Sequence, residues 1–132
     1  MNIYTDGSCA PSNPGPGGWG AIAIDGDKRK KLWGAEGWTT NNRMEVLAAI
    51  RGLEAVEPGG AVTVHSDSQY LVNTMTKSWK KNKNQDLWAQ VDALCAERRV
   101  SWKWVRGHSG HPENEEADRL ANSAREAYLS DR

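Results

Sequence analysis

The stretch that decides how this chain begins to fold is "NIYTDGSCAPSNPGPGGWGAIAI", residues 2–24. A short apolar run ends in Asp6, a loop rich in Gly, Pro, Ser and Asn follows, and a second apolar run comes after the loop. This pattern predicts strands over residues 2–6 and 17–25. An aspartate at a strand end can simply form a turn, because its side chain accepts hydrogen bonds from backbone N–H groups two residues on. Whether Asp6 does only that depends on the rest of the chain.

The segments that follow predict a meander and then an alternation of helices with strands. The turn "DGDK" indicates a hairpin to a third strand over residues 31–38, so the first three strands form an antiparallel meander. "TTNNRMEVLAAIRGLEAVEPGG" has helical spacing of apolar residues and a Pro-Gly-Gly stop. "AVTVHS" and "VSWKWV" predict two more strands, and "SQYLVNTM", "DLWAQVDALCAERR" and "PENEEADRLANSAREAYL" predict helices. Because strands that alternate with helices pair in parallel, the sequence predicts an α/β fold, with the apolar "AVTVHS" strand inside the sheet.

Length and composition exclude several classes of protein. The 132 residues fit a single domain, 1–132, and the 17 basic and 17 acidic residues cancel, so net charge identifies no partner. Two cysteines form no disulfide framework and no secretory apolar region precedes the first strand, which favours the cytoplasm. No run approaches the roughly 20 apolar residues that a membrane span needs, so we expect no membrane partner. We expect a monomer, because no spare apolar helix face is evident.

Four carboxylates fall at the starts or ends of predicted elements. Asp6 ends the first strand and Asp67 follows the fourth, and ligands of open α/β sheets bind beyond the carboxyl ends of parallel strands. Glu45 lies one turn into the first long helix, and Asp118 lies near the start of the last. A group of acids without a cationic partner is unfavourable unless it is protonated or bound to metal. Since hard oxygen ligands suit Mg²⁺ or Mn²⁺, the pattern predicts a divalent-metal site.

Each of these residues also has a purely structural interpretation. Asn42-x-x-Glu45 fits a capping box, Asp67 could cap the next helix, and Asp118 could belong to a solvated acidic face. His108, in the loop "RGHSGHPENE", could be an exposed loop residue or a group that titrates near neutrality. A zinc site at the two histidines of this loop lacks two further ligands at a suitable spacing.

Five motifs, in order, resemble type 1 ribonuclease H of bacteria. They are "YTDGSC…NPGPGGWGA", "TTNNRMEVLAAI", "SDSQY", "DLW" and "WVRGHSGHPENEEAD", which extend from about Ile3 to Leu120. The resemblance implies a ribonuclease H-like fold, in which a five-stranded mixed sheet, a three-strand antiparallel meander plus parallel strands, is flanked by helices. It also implies an endonuclease that hydrolyses the RNA strand of RNA/DNA hybrids and leaves 5′-phosphate and 3′-hydroxyl ends.

The same resemblance assigns roles to catalytic residues. It implies that Asp6, Glu45, Asp67 and Asp118 hold two divalent metal ions, Mg²⁺ with Mn²⁺ as a possible substitute, which together promote an in-line displacement. It places His108 where the family has a flexible histidine that assists proton transfer or product release.

Substrate contacts also follow from the resemblance. Hydroxyl and amide side chains suit a pocket that grips a phosphate of the DNA strand, and the matching residues are Thr40, Asn41 and Asn84. A second group matches positions along the RNA minor groove, where the 2′-hydroxyl distinguishes RNA from DNA; it consists of Cys9, Asn13, Asn42 and Gln69. Trp79 matches an aromatic residue that packs on DNA sugars.

Two features depart from the family pattern. The loop "CAPSNPG" is one residue longer than "CxxNPG", which affects the placing of Asn13. Only "LVNTMTKSWKKNKNQ" lies between "DSQY" and "DLW", where many bacterial members have an extra basic helix that helps to bind the hybrid. We therefore expect that helix to be absent and a shorter basic segment to remain, with Lys77, Lys80, Lys81 and Lys83.

Two other functional classes remain as alternatives. A catalytically silent hybrid-binding module would have no use for an acidic cluster that faces phosphate. The second alternative is a flavodoxin-like protein that binds a small ligand. The predicted meander and the absence of a phosphate-binding Gly loop before a helix argue against this class.

Overall fold

The computed structural model of the chain describes residues 1–78, 80–106 and 111–131, and over these it contains five strands and four helices. In chain order they are β1 Asn2–Cys9, β2 Gly15–Asp25, β3 Lys28–Thr39, α1 Asn41–Glu54, β4 Ala61–Ser66, α2 Gln69–Thr76, α3 Gln85–Ala96, β5 Arg99–Trp104 and α4 Pro112–Ser130.

The strands form one mixed sheet in the order β3-β2-β1-β4-β5. The pairs β1–β2 and β2–β3 are antiparallel, whereas β1–β4 and β4–β5 are parallel. The structure therefore confirms the predicted meander, the parallel half, and the position of the apolar "AVTVHS" strand inside the sheet.

The prediction that the first strand ends at Asp6 is wrong. β1 extends to Cys9, because it remains paired with β2 from Asp6 opposite Gly20 to Cys9 opposite Gly17. Only the parallel pairing with β4 stops earlier, at Thr5 opposite Ser66. β1 is thus paired with β2 over its whole length and with β4 only over its first half, and Asp6 is the first residue beyond the parallel pairing.

Glycines in β1 and β2 let helices approach both faces of the sheet. A Cβ atom on Gly7 would lie 2.5 Å from the backbone nitrogen of Glu45 in α1, and one on Gly20 would lie 2.6 Å from the carbonyl oxygen of Ala117 in α4. Gly20 pairs with Asp6, the neighbour of Gly7, and neighbouring residues of a strand point to opposite faces. Helices α1 and α4 therefore cover opposite faces of the sheet.

The main core lies between the sheet and α1, and α3 packs onto α1. Ile3, Met44, Ile50, Leu53 and Trp88 are among its largest buried side chains. No helix in the described part of the chain combines the length and the apolar character that crossing a membrane would require.

Candidate metal centre and nucleic-acid surface

The sheet opens between β1 and β4 at two carboxylates. The last parallel pair is Thr5 with Ser66, and Asp6 and Asp67 are the next residues of the two chain segments. Asp6 is held by its antiparallel pairing with Gly20, and its Oδ1 atom accepts a hydrogen bond of 2.9 Å from the N–H of Gly7. Both carboxylates therefore lie just beyond the same end of the parallel pairing between β1 and β4.

Helix α1 brings Glu45 to this end of the pairing. Its N-cap is Thr40, whose Oγ1 accepts from the N–H of Arg43 at 3.1 Å, so Glu45 lies beyond the first turn. The capping-box interpretation of Asn42 with Glu45 is thus wrong. Because Gly7 has no side chain, the helix backbone at Glu45 lies directly against β1.

The alternative interpretations of the two remaining acids also differ from the structure. Ser68 is the N-cap of α2, where its Oγ accepts from the N–H of Leu71, so Asp67 does not perform that role. Near the start of α4, Glu116 forms ion pairs with Arg29 and Lys31 across the sheet. Asp118 instead lies close enough to Asp6 to act on the pKa of its carboxyl through a hydrogen bond.

Three of the four carboxylates converge within a very short distance. Asp6, Glu45 and Asp67 each offer an oxygen within 4.8 Å of the other two, and Asp118 adjoins them through Asp6 without belonging to this set. Asp6 and Glu45 are only 7% and 9% exposed. The structure thus brings together three acids from β1, α1 and the end of β4, with Asp118 of α4 next to Asp6.

The charges at this point repel one another. Burial and then the charge of Asp67 raise the pKa of Asp6 to about 8, and burial followed by the charges of Asp6 and Asp67 raises the pKa of Glu45 well above its ordinary value. The Oε1 atom of Glu45 is buried and has no hydrogen-bond partner. A buried acceptor without a partner is unfavourable. An all-oxygen set with an orphaned carboxylate oxygen fits a hard divalent cation such as Mg²⁺ or Mn²⁺.

The residues predicted to grip DNA phosphate meet at the start of α1 and α3. Asn84, the N-cap of α3, has a left-handed backbone with φ 59°. Its Oδ1 accepts from Nη1 of Arg43 at 3.2 Å, and its Nδ2 donates to the hydroxyl of Tyr70 at 3.1 Å. Arg43 also joins Thr40 to this group through its backbone N–H. Thr40 and Asn84 are thereby held on one small surface.

The residues predicted to face the RNA minor groove form a second, adjoining group. Asn41, which is predicted for the phosphate pocket, connects two of these residues: its Oδ1 accepts a hydrogen bond from the N–H of Cys9 at 2.6 Å, and its own N–H donates to Oδ1 of Asn13 at 3.2 Å. Asn42 and Gln69 are exposed in the first turns of α1 and α2. The thiol of Cys9, in contrast, is buried and donates to backbone carbonyls, including that of Ser12 at 3.2 Å. Cys9 can therefore offer substrate only its main chain.

Two predicted site residues, His108 and Trp79, lie outside the described residues. The connection between α2 and α3 contains no helix in its described residues, 77–78 and 80–84, as expected for a chain without the basic helix.

Sequence reasoning missed a clamp between α1 and α3. Arg43 forms two hydrogen bonds with Asp86, of 3.0 and 2.8 Å, in addition to its bond with Asn84. The side-chain bond to Arg43 lowers the pKa of Asp86 to about 2. A cation in the first turn of a helix opposes the helix dipole, and this signal could have marked Arg43 as a residue with a specific partner.

Known proteins agree with this architecture. The RNase H family model matches residues 1–126. The chain is 51% identical to a ribonuclease H of Rhodospirillum rubrum, covering 92% of this chain and 80% of the relative, and 52% identical to a ribonuclease H of Thiobacillus denitrificans, covering 91% and 89%. The alignment with the Rhodospirillum rubrum relative is 134 positions long, which is more than the 132 residues of this chain. That relative therefore contains residues that have no counterpart here.

Solved structures give the same result. The N-terminal RNase H domain of a Mycobacterium tuberculosis protein superposes with a TM-score of 0.85 at 33% identity, covering 98% of this chain and 96% of that domain. The LC11 RNase H1, solved in complex with an RNA/DNA hybrid, has a TM-score of 0.81 at 28% identity, covering 97% and 98%. With a family match over nearly its whole length, the chain belongs to the RNase H family.

Proposed function

We propose that this chain is an endonuclease that hydrolyses the RNA strand of RNA/DNA hybrids and leaves 5′-phosphate and 3′-hydroxyl ends. The observation that carries the proposal is the convergence of Asp6, Glu45 and Asp67, with an orphaned Glu45 oxygen, where β1 and β4 separate. Similarity to ribonucleases H, one of them solved with a hybrid, supports the choice of substrate.

The four carboxylates would hold two divalent ions, which we propose to be Mg²⁺ with Mn²⁺ as a substitute. When bound, such ions supply a nucleophilic water and stabilise the leaving 3′ oxygen. Asp6 and Glu45 contribute buried oxygens, and Asp67 and Asp118 are the more exposed members of the set. Burial and neighbouring carboxylates raise the pKa values of Asp6 and Glu45, and bound cations would offset this by stabilising the ionised carboxylates.

The remaining site residues would bind and orient the hybrid. Thr40, Asn41 and Asn84 would hold a phosphate of the DNA strand through hydroxyl and amide groups. Asn13, Asn42, Gln69 and the main chain of Cys9 would read the 2′-hydroxyls in the minor groove. Trp79 would pack on DNA sugars.

We propose that His108 transfers a proton or aids product release. In that role, His108→Ala lowers turnover by roughly 10- to 1,000-fold and leaves Mg²⁺ affinity unchanged in titration calorimetry. Loss of metal affinity in this variant would show that the residue is structural or a ligand.

We further propose a single catalytic domain spanning residues 1–132 that acts as a monomer in the cytoplasm. The five strands form one sheet, α1, α2 and α3 share the main core on one face, α4 packs on the other face, and both cysteines are free.

A cleavage assay on a hybrid with a labelled RNA strand tests the function. We expect cutting that requires Mg²⁺ or Mn²⁺, no cutting of the matched DNA/DNA duplex, and RNA products with 5′-phosphates. Asp67→Asn should lower cleavage by several orders of magnitude with hybrid binding retained, because the variant keeps the side-chain shape but removes a charge. Binding without cutting by the unmodified protein would favour the alternative, a catalytically silent hybrid-binding module.

A further inference from the structure

Next to the carboxylates lies a second polar cluster, which we call the Arg125 cluster and which consists of Ser8, Asn122 and Arg125. Ser8 Oγ donates to Oδ1 of Asn122 at 2.7 Å. Nη1 of Arg125 donates to the same Asn122 oxygen at 3.0 Å and also to Ser8 Oγ. The cluster joins β1 to α4 and fixes one edge of the guanidinium.

The position of the cluster follows from the two elements that carry the acids. Ser8 lies two residues after Asp6 in β1, so both side chains point to the same face of the sheet. Asn122 lies four residues after Asp118 in α4, so it occupies the same helix face one turn on. The Arg125 cluster is therefore the next layer along the acidic site, roughly 7 Å away by strand geometry.

Arg125 has no acidic partner at hydrogen-bond distance in the described part of the chain. Its side chain is 15% exposed, yet the partners of Nη1 are neutral, and its one ion pair in the described part of the chain is a 3.7 Å contact between Nη2 and Glu126, which is 70% exposed. A loose, exposed pair of this kind contributes little. A guanidinium has five N–H donors, so the edge turned away from Ser8 can bind another group.

A purely structural role would look like that of Arg98. That side chain is 6% exposed and donates from Nε to the carbonyl of Val56 at 2.8 Å and from Nη1 to that of Leu94 at 3.2 Å. Its donors are directed to backbone carbonyls far from the acidic site. Arg125 has no backbone carbonyl among its hydrogen-bond partners in the described chain and adjoins the site.

We propose that Arg125 binds a phosphate of the RNA strand next to the scissile one, with Ser8 and Asn122 as positioning residues. The inference rests on the proposed function, because a scissile phosphate at the carboxylates brings its neighbours on the same strand along β1 and α4. A guanidinium suits this task, because its planar fork matches phosphate oxygens and its charge is held without an acidic partner at hydrogen-bond distance.

The test compares Arg125→Gln with Arg119→Gln, an equal charge change at an exposed position of the same helix. Hybrid affinity is measured against salt in an Asp67→Asn background, and KM and kcat are measured with Asp67 intact. Arg125→Gln should raise KM several-fold, leave kcat within about twofold, and flatten the slope of log affinity against log salt by nearly one unit. Arg125→Lys should restore the slope, whereas Arg119→Gln should change neither quantity.

Two results would overturn the inference, and they are distinguishable. If the unmodified protein does not cut the hybrid, the proposed function fails and this inference fails with it. If cleavage is intact but Arg125→Gln has the same salt slope and KM as Arg119→Gln, with only its melting temperature lowered, Arg125 merely ties β1 to α4.

Discussion

Asp6 of β1 and Glu45 of α1 have carboxylate oxygens within 4.8 Å of one another, although the residues lie on different elements. The contact exists because α1 crosses β1 at Gly7, where a side chain would strike the helix backbone. Burial and the charges of neighbouring carboxylates raise the pKa values of both Asp6 and Glu45. The metal-free site therefore destabilises the fold.

The metal-free protein should lose part of its stability as pH rises. The pKa of Asp6 is about 8 in the fold against 3.8 for a solvated aspartate, so between these values the native state binds a proton that the unfolded state releases. Its contribution therefore falls as pH rises through this window and is constant above it. His65 acts in the opposite direction, because burial lowers its pKa.

The contribution of Asp6 can be isolated by comparing the stability of the unmodified protein with that of Asp6→Asn as a function of pH. Thermal unfolding of the unmodified protein and of Asp6→Asn, both in a chelator, should diverge from about pH 4 to about pH 8, with the variant increasingly the more stable. Added Mg²⁺ should reduce the difference. Parallel stability curves would show that Asp6 titrates normally in the fold.

Replacement of Gly20 by alanine should destabilise the fold and disturb the site. The new Cβ would lie 2.6 Å from the Ala117 carbonyl and 2.7 Å from the Leu120 Cβ, so α4 must shift. Overpacking of this kind costs about 1–3 kcal/mol. Denaturant unfolding should show this loss, and cleavage should also fall because Asp118 moves with α4. Ser123→Ala, at an exposed position of α4, should stay within about 0.5 kcal/mol of the unmodified protein.

Arg43→Ala should weaken hybrid binding without affecting metal binding. It removes the donor that fixes Asn84 and the partner of Asp86, so the proposed phosphate-binding amide loses its orientation. We expect KM to rise several-fold and Mg²⁺ affinity in calorimetry to be unchanged. Arg51→Ala is the matched control, because Arg51 lies in the same helix and pairs only with the exposed Glu54 in the described chain. Equal KM values for the two variants would contradict the role of the clamp.

The short lysine segment should contribute to phosphate contacts even without the basic helix. Lys80→Ala with Lys81→Ala should flatten the salt dependence of hybrid affinity by about one to two units and leave saturated turnover nearly unchanged. Lys81 already contacts Asp92 at 3.1 Å, so we expect the lower end of this range. Lys80→Ala with Lys83→Ala, both exposed, should have the larger effect of the two double variants. An unchanged slope in both would mean that the hybrid is gripped elsewhere.

Local sequence signals predicted the elements and their pairing classes well. Helical spacing, the turn "DGDK" and the Pro-Gly-Gly stop each depend on neighbouring residues, and the structure has the corresponding elements. The errors were local too. Pairing with β2 continues through Cys9 even though the apolar run stops, and Thr40 rather than Asn42 caps α1. The antiparallel partner β2 decided the first boundary, whereas a hydrogen bond within α1, from the N–H of Arg43 to the Thr40 hydroxyl, decided the second.

The sequence by itself determined the mixed α/β fold and proposed four acids for one site, because apolar periodicity and ordered motifs are written along the chain. Only the tertiary structure decided which atoms meet. The Ser8–Asn122 hydrogen bond joins residues 114 positions apart, and Arg43 reaches Asp86 across 43. Such contacts depend on sheet order, on the side of the sheet that each helix covers and on glycines that admit a helix backbone. None of these is fixed by local spacing, since the same periodicity would suit a helix on either face.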